Sequence, residues 1–117
     1  MKLRIKSNTI RLRLSQDEVK CLEEETVVTD RCAFPGSELV YAIELKGDID
    51  QMYAEFSGQA IKVYMPESLV QNWSSNATVG FDAHMQNGTY ILVEKDFKCL
   101  IPRDSEDESA LYPNPKA

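Results

Sequence analysis

The chain has 117 residues, with 13 Lys and Arg against 19 Asp and Glu, a net charge of −6, 43% hydrophobic and 27% charged residues. That length suits one domain able to bury roughly two-thirds of its unfolded surface without staples, and the composition excludes disordered and collagenous classes. No apolar run approaches the ~20 residues of a membrane helix. MKLRIK leads into alternation where a secretory signal carries an unbroken apolar block, so a cytoplasmic protein is expected.

Cys21, Cys32 and Cys99 are widely spaced, and His84 is the single histidine. Such a set predicts neither a disulfide framework nor a Cys/His zinc site, and the thiols read as small buried apolar residues. No metal and no cofactor is implied. The glycosylation-type triplets at Asn72, Asn76 and Asn87 matter only in a secreted chain.

The first fourteen residues, MKLRIKSNTIRLRL, hold five basic side chains and no acidic one. Leu3 and Ile5 alternate with Lys2, Arg4 and Lys6, and Ile10, Leu12 and Leu14 alternate with Arg11 and Arg13, which predicts two half-buried strands. A turn at Ser7-Asn8 pairs Ile5 with Ile10 and Leu3 with Leu12 on one face. The same register sets Arg4 opposite Arg11 and Lys2 opposite Arg13. Like charges directly opposite cost stability unless internal acids face them, an anionic ligand binds there, or the side chains splay into water.

Ser15-Gln16-Asp17-Glu18 is a capping box and predicts a helix of about ten residues carrying Val19 and Leu22 inward. The pattern then recurs with an offset of 51. Ile10 to Leu14 match Ile61 to Met65, Val19 and Leu22 match Val70 and Trp73, and Pro66 replaces Ser15 at a second helix start. Gly58-Gln59 suits a type II′ turn, which sets Glu55 opposite Lys62. Each half closes with a further hairpin, turning at Pro35-Gly36-Ser37 and at Gln86-Asn87-Gly88. The expected fold is α+β: two ββαββ repeats, about 1–50 and 51–98, in a mainly antiparallel, barrel-like sheet with two short helices, all within one domain spanning 1–100. Residues 101–117 form an acidic, proline-rich tail with four acids between 104 and 108 that can fold back over the basic hairpin.

The common phosphate-loop, dinucleotide, nucleophile-elbow and zincin signatures are absent from the sequence. Asp82 and His84 share a strand face as a surface couple with acid/base chemistry available to it. Residues 2–13 lack aromatic interleaving, and a pI near 4.8 argues against nucleic acid. RIKSNTIRLRLSQDEV, ILVEKDFKCL, EDES and YPNP resemble a family of small uncharacterised bacterial proteins, a resemblance that implies no activity. Paired strand-and-helix repeats with basic residues alternating along strands resemble the CYTH, or triphosphate-tunnel, architecture. Where that family carries E-x-E-x-K, this chain reads Lys2-Leu3-Arg4-Ile5-Lys6, so the resemblance implies the architecture without the carboxylates for metal-dependent hydrolysis.

The reading that follows is a non-enzymatic cytoplasmic binding or interaction domain, with no catalytic residues. Its alternative is a CYTH-like protein that binds or hydrolyses a small phosphorylated ligand, with Arg4, Lys6, Arg11, Arg13 and Lys62 as donors and Asp82 and His84 nearby. The expected partner is a small anionic ligand or a protein, with neither membrane nor nucleic acid.

Overall fold

Alternation decides the first strands. The computed structural model describes residues 1–98 and 111–113, and in it β1 (Lys2–Lys6) and β2 (Thr9–Leu14) form a hairpin. Its register is Lys2 to Arg13, Leu3 to Leu12, Arg4 to Arg11 and Ile5 to Ile10. A slip of one residue would turn Leu12 and Leu14, both fully buried, out to water. Ser7 takes the positive φ, 51°, that the tight turn requires.

Helix α1 (Gln16–Glu25) begins where the capping box places it. Ser15 Oγ accepts from the Glu18 amide at 3.3 Å, and Glu18 Oε1 accepts from the Ser15 amide at 2.9 Å. The other Glu18 oxygen and Asp30 Oδ2 hold the Met1 amine. Thr26, in the left-handed region, ends the helix by donating its amide to the Leu22 carbonyl.

Strand β3 (Val27–Phe34) then pairs antiparallel with β4 (Ser37–Lys46), β5 (Tyr53–Ser57) with β6 (Ala60–Pro66), and β7 (Gly80–His84) with β8 (Tyr90–Lys95). Gly58 opens the β5–β6 turn with φ 61°, and Glu55 lies opposite Lys62.

These eight strands make two four-stranded sheets, ordered β1-β2-β8-β7 and β3-β4-β6-β5. The α+β class stands, but the expected barrel does not form. Strands β1, β7, β3 and β5 are edges, so no ladder closes a ring. Alternation assigns each strand a buried face and leaves its partner open. At the centre of each sheet two hairpins meet through a parallel pair, β2 with β8 and β4 with β6. One apolar cluster joins the sheets: Leu12, Leu14, Ile91 and Val93 from the first, Ile43, Val63 and Met65 from the second, with Val19 and Leu22 of α1.

The second expected helix is instead two 3₁₀ turns, Glu67–Val70 and Trp73–Ser75. Gln71 is extended and Asn72 left-handed between them. The break swings Trp73 into the core, where it is fully buried, and lets its indole N–H reach the Thr78 carbonyl at 2.8 Å. Asn, Ser and Trp favour the helix less than the backbone alternatives they can bond to.

Two further expectations change. Cys21 is half-buried and Cys32 exposed, so these thiols are free but not buried core residues; Cys99 lies outside the described residues. The acids between 104 and 108 also lie outside them. Leu111 and Tyr112, expected in an irregular tail, pack on the body: Leu111 is buried, and Tyr112 forms a parallel bridge with Phe97. Its amide donates to the Asp96 carbonyl at 2.8 Å.

Trp73→Ala leaves a cavity where the two sheets and α1 converge and removes the Thr78 bond. It is expected to lower unfolding free energy by ~3–5 kcal/mol in a denaturant titration. A loss below ~1 kcal/mol would show that the core does not depend on this residue.

Candidate functional site

The parallel pairing of β2 with β8 builds one polar face across four strands. Its register sets Lys6, Thr9, Tyr90 and His84 in one row, Arg4, Arg11, Leu92 and Asp82 in the next, and Lys2, Arg13, Glu94 and Gly80 in a third. Neighbouring strands are ~4.8 Å apart, so the basic half and the half carrying Asp82 and His84 adjoin. Of the seven residues singled out in the sequence, Arg4, Lys6, Arg11, Arg13, Asp82 and His84 share this face. Lys62, on β6, stands on the other sheet and is not brought to them.

The repulsion built into the first hairpin meets carboxylates delivered by β8. Glu94 Oε1 accepts from Arg11 Nε at 2.6 Å and from Arg13 Nε at 3.3 Å, and Arg11 Nη2 also reaches it. Lys2 Nζ lies 2.9 Å from Asp96 Oδ2, on a residue only 4% exposed. Partly buried, charge-assisted contacts of this kind are among the stronger hydrogen bonds. Gly80 makes the arrangement possible. A Cβ there would come within 2.7 Å of Glu94 Cβ and 2.5 Å of the Val93 carbonyl oxygen.

Compensation is uneven. Arg11, Arg13, Glu94, Lys95 and Asp96 line one hollow of about 200 Å³, in which both arginines are paired with Glu94. Arg4, Lys6, Thr9, Arg11 and Leu92 line another of about 200 Å³, with no carboxylate in its wall. Arg4 and Lys6 are exposed and carry no ion pair among the described residues.

On the far half, Asp82 Oδ2 accepts from the Tyr90 hydroxyl at 2.8 Å, and the His84 ring lies 4.6 Å from the Tyr90 ring. Asp82 and His84 share a face but are not hydrogen-bonded to each other. The bond to Asp82, with lesser contributions from desolvation and nearby charge, raises the Tyr90 pKa above its ordinary 10.0. Among the described residues, no group of three or more His, Cys, Asp and Glu is placed to hold a metal ion.

Sequence reasoning missed Glu94, Asp96, Tyr90 and Thr9. Alternation in TYILVEK does put Tyr90 and Glu94 on one polar face, but nothing local announces that this strand lies beside β2, 81 residues from it in the case of Arg13 and Glu94.

A model of the family of unknown function DUF7009 matches residues 1–116. No curated protein matches the chain, and no solved structure does.

Glu94→Gln keeps the shape and removes the charge that Arg11 and Arg13 share; a stability loss of about 1.5–3 kcal/mol is expected by chemical denaturation. Asp82→Asn is expected to return Tyr90 ionisation toward its ordinary pKa in an ultraviolet pH titration. Because the folded-state pKa is raised, the corresponding stability is fully present below the ordinary tyrosine value and lost as pH climbs through the raised one. Asp82→Asn therefore flattens that alkaline fall.

Proposed function

The chain belongs to this family of unknown function, and we propose that it is a non-enzymatic binding domain whose ligand is a small phosphorylated or otherwise multiply charged anion. The observation that carries this reading is the contrast between the two hollows on one face. Glu94 and Asp96 already pair Arg11, Arg13 and Lys2. In the other hollow Arg4 and Lys6, beside Thr9 and Arg11, have no carboxylate among the described residues, and a guanidinium fork, an ammonium and a hydroxyl, with the N–H groups that Arg11 does not give to Glu94, supply the donors that a phosphoryl group accepts. Leu92 in the wall gives the ligand an apolar surface to lie against. Arg4 and Lys6 are exposed to solvent, so binding is expected to be salt-sensitive.

A cytoplasmic location accords with the free Cys21 and Cys32 thiols. No helix among the described residues is long and apolar enough to cross a membrane. The reading rests on the residues of the hollow and takes nothing from a tunnel architecture.

An internal duplication belongs to the same proposal. Replacing β1, β2, β3 and β4 by β5, β6, β7 and β8, and the reverse, turns one strand order into the other read backwards. Ser7 and Gly58, 51 apart, both open their turns with positive φ. The counterparts of Arg4 and Arg11 are then Glu55 and Lys62, opposite in charge and directly paired. The second sheet thus holds a neutralised version of the basic pair, and the anion-binding face belongs to the first sheet alone.

Titrating pyrophosphate against the protein at constant ionic strength tests this. A ligand that binds only the folded state stabilises it by RT ln(1 + [L]/Kd), ~2.7 kcal/mol at a hundredfold excess over Kd. Arg4→Ala and Arg11→Ala should each remove most of the rise in melting temperature, and Lys62→Ala should leave it intact. No rise beyond a chloride control, or equal losses in all three variants, defeats the proposal.

A further inference from the structure

Strand β8 carries a lysine on the wrong side. Ile91 and Val93 point into the core and are fully buried, and Lys95, next in the same alternation, is 4% exposed. Its Nζ donates to the Asn76 carbonyl at 2.7 Å and lies 5.0 Å from the centre of the Tyr112 ring and 6.0 Å from that of Trp73. No carboxylate pairs with it among the described residues. Burying a cation without a counter-charge is costly, and such a breach of the core pattern is a mark of function more than of stability. The Tyr112 hydroxyl, also buried, has no hydrogen-bond partner among the described residues. Both residues line a cavity of about 540 Å³ shared with Ser74, Ser75, Val79 and Phe97, within the range of small-ligand pockets.

We propose that this cavity is a second binding site, distinct from the anion hollow, that takes a small organic monocarboxylate with an apolar body. Lys95 has N–H donors beyond the one given to Asn76, and Tyr112 has an unused O–H. Both are donors, so the group that satisfies them is an acceptor, and the ammonium selects an anionic one. Val79, Phe97 and the ring of Tyr112 are walls for the apolar part, while Ser74 and Ser75 add hydroxyls. A phosphate dianion suits the site poorly, because a single cation faces it and the walls are largely apolar. Burial pushes the Lys95 pKa down, with the charge of Glu23 acting against it, and a bound carboxylate would relieve that penalty.

Benzoate and hexanoate, each compared with benzyl alcohol and hexanol, are the probes, with binding followed by two-dimensional NMR and calorimetry on the full chain. Both acids should bind saturably and more tightly than the matched alcohols, moving resonances of Lys95, Phe97 and Tyr112. Lys95→Met should weaken the acids roughly tenfold or more, and Tyr112→Phe about two- to tenfold. Arg4→Ala should leave them unchanged. Absence of saturable binding, equal affinity for acids and alcohols, or acid binding that survives Lys95→Met overturns the proposal, as does loss of binding in Arg4→Ala. Should Lys95→Met fail to fold, Tyr112→Phe decides: it deletes one oxygen from an unpartnered position, and unchanged affinity there overturns the site.

Discussion

The parallel ladder between β2 and β8 is the constraint on which both faces of the first sheet depend. It aligns Leu12 with Val93 and Ile10 with Ile91 on the inner side, and Arg13 with Glu94 on the outer side. Joining segments about eighty residues apart carries a loop-closure cost that grows only slowly with length. The inner face repays it by apolar burial, and the outer face gains relief of a like-charge ladder. Without β8, Arg4 opposite Arg11 and Lys2 opposite Arg13 would be a hairpin held together against its own charge.

That relief is partial, and the unevenness sets the chemistry of the face. One carboxylate, Glu94, draws Arg11 and Arg13 toward the lower rows, while Arg4 and Lys6 remain on the edge strand, with Thr9 directly opposite Lys6. Exposed bases on an edge also discourage a second sheet from adding there. The two roles do not compete, since an anion in the hollow leaves the β1 backbone as guarded as before. The counterpart pair in the other sheet, Glu55 with Lys62, needs no such help from a third strand.

The ends of β8 concentrate the departures from ordinary packing. Gly80 is bare so that β7 can approach Glu94 closely; Lys95 faces inward where Ile91 and Val93 lead; Asp96 is buried against Lys2. Leu111 and Tyr112 return to cover this corner, with Gln16 Nε2 donating to the Leu111 carbonyl at 3.1 Å. Helix α1 and the end of β8 are thereby tied through one short segment.

Short-range physics was readable from the residues themselves. The Ser7-Asn8 hairpin and its register, the capping box at Ser15, the Gly58 turn and the positions of eight strands all depend on neighbours a few residues apart, where periodicity and turn chemistry act. The sharing of one face by Arg4, Lys6, Arg11 and Arg13 follows from the same alternation. Tertiary structure alone decided which strands meet, because period two marks a buried side without naming the strand beside it. For that reason two open sheets stand where a barrel was expected, and Lys62 lies apart from the bases it was grouped with. Glu94 and Asp96, neither visible as partners in the chain, pair with three of the five bases of the opening stretch. The segment after Pro66 had the apolar spacing of a helix, yet it broke at Asn72 because burying Trp73 and bonding its indole to Thr78 outweighed one more helical turn.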